Sequence, residues 1–229
     1  MRALYARARN HRFLILLVAL LAMSIAQPLG PDLLATSLLA DVLLSLVLVA
    51  VVLIVFERQH ERWAALALAT PTILARWGVF WTGAEHRFAL GVAHHVLVVC
   101  FLGFAIFAIL RGIFEEETVN SDHLLGTVCG YLLAGVAWGN AFIVVDMFDP
   151  GSFQIAAEIV ARLGDAHTRG MYFNYFSLST LTSAGFGDIT PLGPYATTLT
   201  WLEAAFGQFY IAVVVAQLVG LRLAQAVMR

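Results

Sequence analysis

Lysine is absent from the 229-residue chain, so all 13 basic residues are arginines. Charge of either sign is scarce: 12% of residues are charged against 61% hydrophobic, and the formal net charge is -2. A chain this poor in charge lies outside the range of ordinary soluble domains and belongs with integral membrane proteins. The largest basic features are arginine pairs beside apolar runs, which excludes nucleic acid as a partner. Cysteine is limited to Cys100 and Cys129, both inside apolar stretches, where they read as two buried small hydrophobes rather than a disulfide or metal site. Serine-histidine-aspartate, metal-ligand and phosphate-loop patterns are missing as well, so no enzyme chemistry and no cofactor is expected.

What the chain has instead is a succession of apolar runs. After the arginines at 2, 7, 9 and 12, a first run extends from Phe13 to roughly Leu29. It reads as an uncleaved first helix, although Ser24-Ile25-Ala26 offers a weak cleavage pattern and the signal-peptide alternative leaves the rest of the topology unchanged. Leu33 to Phe56 is the second run, 24 residues against the ~20 that a crossing helix needs. A third, Trp63 to about Trp81, contains Pro71 and Arg76 and is expected to kink rather than break. The fourth is Val92 to Leu110, following a loop over 82–91. The fifth, Leu124 to about Val145, carries Gly126, Gly130, Gly135 and Gly139, a small-xxx-small spacing suited to close helix contact in lipid. A final run, Tyr195 to Leu221, lies beyond a shorter aromatic segment, Met171 to Thr182, that is too short to span.

Arginine placement tests this parse. With the amino terminus inside, nine arginines (2, 7, 9, 12, 58, 62, 111, 222 and 229) are cytoplasmic and three (87, 162 and 169) are external, with Arg76 set aside inside the third run. That asymmetry favours a multi-pass protein of the cell membrane with both termini cytoplasmic. The fold class expected is an all-α integral membrane protein of six transmembrane helices plus a re-entrant helix. Residues 1–122 form a four-helix peripheral domain and residues 123–229 a second domain of helix, short helix 171–182, loop 183–187 and helix 195–221.

The loop is the most informative stretch. Two glycines flank an aromatic in Thr182-Ser183-Ala184-Gly185-Phe186-Gly187-Asp188, which opens backbone conformations closed to other residues. The run Leu181 to Pro191 resembles the pore loop of the potassium-channel family, usually written T-T-V-G-Y-G-D. The resemblance is specific over 171–191, weaker over 123–221 and architectural over 1–122. It implies a selectivity filter in which backbone carbonyls replace the hydration shell of a transported K+. The Thr182 carbonyl would border the cavity, Ser183 would contribute hydroxyl and carbonyl, and Ala184, Gly185, Phe186 and Gly187 would complete the filter, with K+ at 183–186. Ser183 lacks threonine's methyl, Ala184 removes the usual valine's volume, and Phe186 lacks tyrosine's hydroxyl. Ser179 stands where relatives place a glutamate that pairs with the filter aspartate, so Asp188 needs another partner, a backbone N–H or water.

Further roles follow from the same comparison and from placement. Tyr175 and Phe176, with Tyr172 and Phe173, wedge the short helix against its neighbours, and Tyr175, Phe176, Ser179, Asp188 and Glu203 are the filter-support candidates. Gly207 corresponds to a bending glycine in relatives and is equally suited to close packing against the pore helix. Val214 and Leu218, with Val213 and Val215, supply apolar surface for a gate by dewetting. One pore loop per chain makes a homotetramer the economical ring, with the glycine face of the fifth run and Phe206, Phe209 and Tyr210 as packing surfaces amid membrane lipids. Asp41 and Arg76 are ionisable residues inside spans, with a structural salt bridge as their simplest role. One buried arginine cannot supply the gating charges of a voltage sensor. His94 and His95 suit packing or interhelical hydrogen bonds more than a proton-sensing role, and Glu115, Glu116 and Glu117 either solvate a linker or concentrate cations. The short tail and linker leave any chemical gate to a regulatory ligand or subunit acting on the membrane domain.

Overall fold

The computed structural model describes residues 12–26, 34–56, 58–79, 81–115, 121–160 and 166–227. Within them the order is α1 (Arg12–Ala26), α2 (Leu34–Val55), α3 (Gln59–Gly78), α4 (Ala84–Glu115), α5 (Ser121–Phe148), β1 (Phe153–Ile155), α6 (Ala157–Val160), α7 (Ala166–Leu181), β2 (Ile189–Pro191) and α8 (Pro194–Val227). Three helical segments are long and apolar enough to cross a membrane: Glu85–Glu115, Asp122–Phe148 and Pro194–Leu221. Phe13–Ile25 and Val42–Val55 are shorter apolar stretches. Together these make the chain a mostly helical membrane protein.

Helix ends depart from the expected spans for one physical reason. Polarity marks where a chain leaves lipid, not where its backbone stops being helical. The loop expected over 82–91 is therefore helical from Ala84, because Glu85 to Leu90 holds no proline or glycine. Thr82 Oγ1 donates to the Gly78 carbonyl at 3.1 Å across the turn between α3 and α4. The last helix starts on Pro194, whose fixed φ and missing N–H suit a first helical position. Helix α3 runs through Pro71 without interruption, with Thr72 Oγ1 bonded to the Leu68 carbonyl at 2.6 Å.

The four glycines of α5 each seat a different neighbour of the same chain. A Cβ at Gly126 would lie 3.1 Å from the Phe13 ring on α1, and one at Gly130 would lie 2.6 Å from the Tyr210 hydroxyl on α8. At Gly135 it would meet Leu178 Cδ2 at 2.6 Å, and at Gly139 the Asn174 Cα at 3.1 Å, both on α7. The small-residue spacing was thus read correctly as close contact, but the face is filled within the chain rather than between chains. Phe209 is 69% exposed while Tyr210 is buried, so only part of the expected aromatic packing surface is open.

The end of the chain's core beside the 182–188 loop is held by an aromatic cluster and a clip. Phe142, Phe153, Phe173 and Phe176 meet with ring centroids 5.0 to 5.7 Å apart in edge-on and tilted geometries, the arrangement favoured by the ring quadrupole. Beside it β1 and β2 pair antiparallel, Phe153 opposite Pro191 and Ile155 opposite Ile189. These three-residue strands were not expected from the sequence, since so short a ladder leaves no periodicity to read. Cys129 is buried as expected, but Cys100 is exposed on α4, and the two are unpaired. The Asp41 side chain, Glu116 and Glu117 lie outside the described residues, and with Asp41 goes the expected pairing to Arg76.

His94 Nδ1 lies 3.1 Å from the Thr72 carbonyl and His95 Nδ1 lies 2.7 Å from Asn140 Oδ1. They tie α4 to α3 on one side and to α5 on the other, the interhelical role expected of them.

Candidate functional site

The site begins with the way α7 ends. Ser183 takes φ 59°, the left-handed region that favours glycine. Its N–H donates to the Thr180 carbonyl at 2.9 Å, and the Ala184 N–H reaches the Ser179 carbonyl at 2.8 Å. These paired bonds are the Schellman arrangement, with Ser183 in the place that glycine usually holds. Thr182 bonds the Leu178 carbonyl through both its N–H (3.1 Å) and its hydroxyl (2.7 Å), and Tyr131 Oη donates to the Leu181 carbonyl at 2.9 Å. Each of the last four carbonyls of α7 is satisfied, as a buried helix end requires. Because Ser183 sits at positive φ, Ser183→Gly is expected to stabilise the fold by up to about 1 kcal/mol, while β-branched Ser183→Thr costs about 1–2 kcal/mol. Thermal unfolding of the two variants in one detergent checks the opposite signs.

Beyond the cap, the loop turns its N–H groups back on a single residue. Ala184 and Gly185 donate to the Ser179 carbonyl at 2.8 and 3.3 Å, and the Phe186 N–H lies 3.4 Å from Ser179 Oγ. In a trans peptide the N–H and the preceding C=O point in opposite directions, and no peptide here is cis. The carbonyls of Thr182, Ser183, Ala184 and Gly185 are therefore directed away from α7, and none of them is bonded among the described residues. Positive φ recurs at every second position, with Gly185 at 57° and Gly187 at 80°. Residues 182–187 are all exposed in the single chain.

The far end of the loop, away from α7, is anchored through Asp188. Tyr175 Oη donates to Asp188 Oδ2 at 2.8 Å, and the Tyr175 ring stacks on Phe186 with centroids 5.8 Å apart and planes within 9°. The Ile189 N–H bonds Asp188 Oδ1 at 3.1 Å, and the Asp188 carbonyl accepts from Ala156 N–H at 2.9 Å beside the β1–β2 clip. Asp188 has the backbone partner expected of it and, in addition, the phenol of Tyr175, a filter-support candidate whose hydroxyl partner was not foreseen. Phe176, by contrast, is a core residue. Tyr175→Phe keeps the stack and removes one bond to a charged group, so it is expected to cost about 1.5–3 kcal/mol. A fall in the thermal midpoint with the helical circular dichroism unchanged is the result to look for.

Behind the loop lies α8. Its buried stripe is Glu203, Gly207, Tyr210, Val214 and Leu218, one residue per helical turn, all facing the chain's own core. Val214 at 2% exposure and Leu218 at 8%, two of the expected gate residues, pack against the chain's own core in this structure. The face next to the loop is marked by Gln208, whose Nε2 donates to Ser183 Oγ at 2.9 Å, and it continues through Ala212 to Val219. Gln208 was missed, although a carboxamide inside an apolar helix is itself a signal. Gly207 has the packing role: an added Cβ would overlap the Leu181 carbonyl.

An exposed row of outward carbonyls at the end of a short buried helix, clipped at its far side and backed by a long apolar helix, is an arrangement for cation contact. Residues 153–221 match a protein-family model described as an ion channel. The match supports an ion channel. No curated protein and no solved structure matches the chain. The channel match spans β1 to most of α8, so it covers the loop and every residue that anchors it except Tyr131. It supports ion transport in a membrane and a transporter rather than an enzyme.

Proposed function

We propose that the chain is one subunit of a homotetrameric, potassium-selective channel of the cell membrane. Four copies of the 182–187 loop would surround an axis and strip water from K+ with backbone carbonyls. Residues 1–122 would serve as the peripheral domain and 123–229 as the pore domain, with six spans and both termini cytoplasmic. The observation that carries this reading is the run of four N–H groups turned back on α7, Ser183 to Thr180 and the next three to Ser179, which leaves the carbonyls of Thr182 to Gly185 turned outward together. A homotetramer supplies what a single exposed row lacks, the opposing oxygens that close a cage. No cofactor is invoked; K+ is cargo.

A second reading, a weakly selective cation channel, is favoured by one observation. Ser183 is held in a helix cap with its hydroxyl engaged by Gln208, so the innermost site has a committed backbone but no threonine methyl to pack it. Reconstituted protein in liposomes, under opposed K+ and Na+ gradients, decides among the outcomes. A reversal potential that follows K+ supports the first reading, and equal dependence on both ions supports the second. Zero flux from a verified tetramer under varied voltage, pH and lipid would sink both and leave a non-conducting scaffold.

A further inference from the structure

Glu203 is the one acidic residue between Pro194 and Leu221, and it is fully buried. One of its oxygens, Oε1, contacts Ser177 Oγ, and the other, Oε2, has no partner. Ser177 Oγ is also 2.7 Å from the Gly135 carbonyl. A serine hydroxyl owns a single hydrogen. If it donates to Gly135, whose carbonyl can only accept, the contact with Glu203 requires a hydrogen on the carboxyl group. If Glu203 were ionised, two acceptors would compete for one hydrogen and a bare anionic oxygen would remain in a site closed to water, at high cost.

Among the described residues the surroundings offer no counter-charge: α7 contributes Ser177 to this site and no cation, and α8 has no other charged group in its apolar span. Helix α5 contributes the Tyr131 phenol, whose hydrogen is already given to the Leu181 carbonyl.

We propose that Glu203 is carried as the neutral acid and donates its proton to Ser177, so that one proton latches α5, α7 and α8 together. Ser177 lies two residues before Ser179, on which the loop N–H groups converge. The position of the carbonyl row is therefore tied to whether Glu203 holds its proton. This assigns a regulatory positioning role within the pore reading above and depends on that reading for its consequence, though not for its chemistry.

Two measurements test it. The infrared difference spectrum between wild type and Glu203→Gln, in lipid at neutral pH, is expected to lose the carbonyl stretch of a protonated carboxylic acid. Loss of carboxylate bands instead overturns the proposal. For flux, Glu203→Gln can still donate an N–H to Ser177 and is expected to exceed Glu203→Ala by about tenfold, ~1.4 kcal/mol of latch. Wild-type flux should also fall at alkaline pH while the glutamine variant stays flat; parallel pH profiles overturn the latch. If wild type passes no ions, the pore reading fails, and the infrared result still decides the protonation of Glu203.

Discussion

Replacing Gly207 with alanine is expected to push α8 off the end of α7 and cost about 3 kcal/mol, the top of the usual overpacking range. The reason is the identity of the obstructing atom. An added methyl would overlap the Leu181 carbonyl, with the carbonyl carbon 3.0 Å away. Backbone cannot swing aside as a flexible side chain can, and this carbonyl is fixed by Tyr131 Oη at 2.9 Å. The helices must separate, which also withdraws Glu203 and Tyr210 from their contacts one turn away on the same stripe. Against a total stability of about 5–15 kcal/mol, such a loss removes much of the margin. Gly220→Ala is the control: it lies on the same helix with nothing within 4 Å of the added carbon, and it should be neutral or gain up to about 1 kcal/mol from helix propensity. Thermal unfolding and the yield of assembled protein in detergent read the difference. A bending role predicts something else, a Gly207→Ala protein that is normally stable with altered opening. That outcome would refute the packing account.

The sequence made the loop legible because its signal is local. The spacing Gly185-Phe186-Gly187 needs only three residues, and both glycines take positive φ. The glycines of α5 were legible as close-contact positions for the same reason, but their partners were not, since spacing cannot say which helix will fill the groove. Rotation was not legible: Val214 and Leu218 are apolar enough for a gate, yet a helix with apolar residues all round gives no phase, and in the structure both turn to the chain's own core. The polar residues hold that phase. Glu203 points inward to Ser177 while Gln208 reaches Ser183, and together they fix which face is which. Tyr175 illustrates another limit, because its ring announces packing and hides a hydroxyl whose partner lies 13 residues on. The two strands that clip the loop's far end, each of three residues, left no pattern at all.

Gly185→Ala and Gly187→Ala are expected to separate function from folding. Alanine at φ 57° or 80° is strained by about 1–2 kcal/mol, but nothing lies within 4 Å of either added carbon, so no packing is lost. The strain is relieved most simply by rotating a peptide, which turns a carbonyl away from its row and an N–H towards it. In the proposed pore, a donor placed where an oxygen would contact a cation replaces attraction by repulsion. Flux should fall by at least about tenfold per site, since ~1.4 kcal/mol at one ion position suffices for that, and selection between K+ and Na+ should weaken with it. Gly151→Ala provides the matched comparison, because Gly151 has φ 106° and equally open surroundings but lies in the turn before β1. All three variants should lose similar stability, and only the two in the loop should lose ion flux. If Gly151→Ala reduced flux as much as Gly185→Ala, the effect would belong to general loosening of the loop's far end, and the carbonyl row would have no special claim to the ion path.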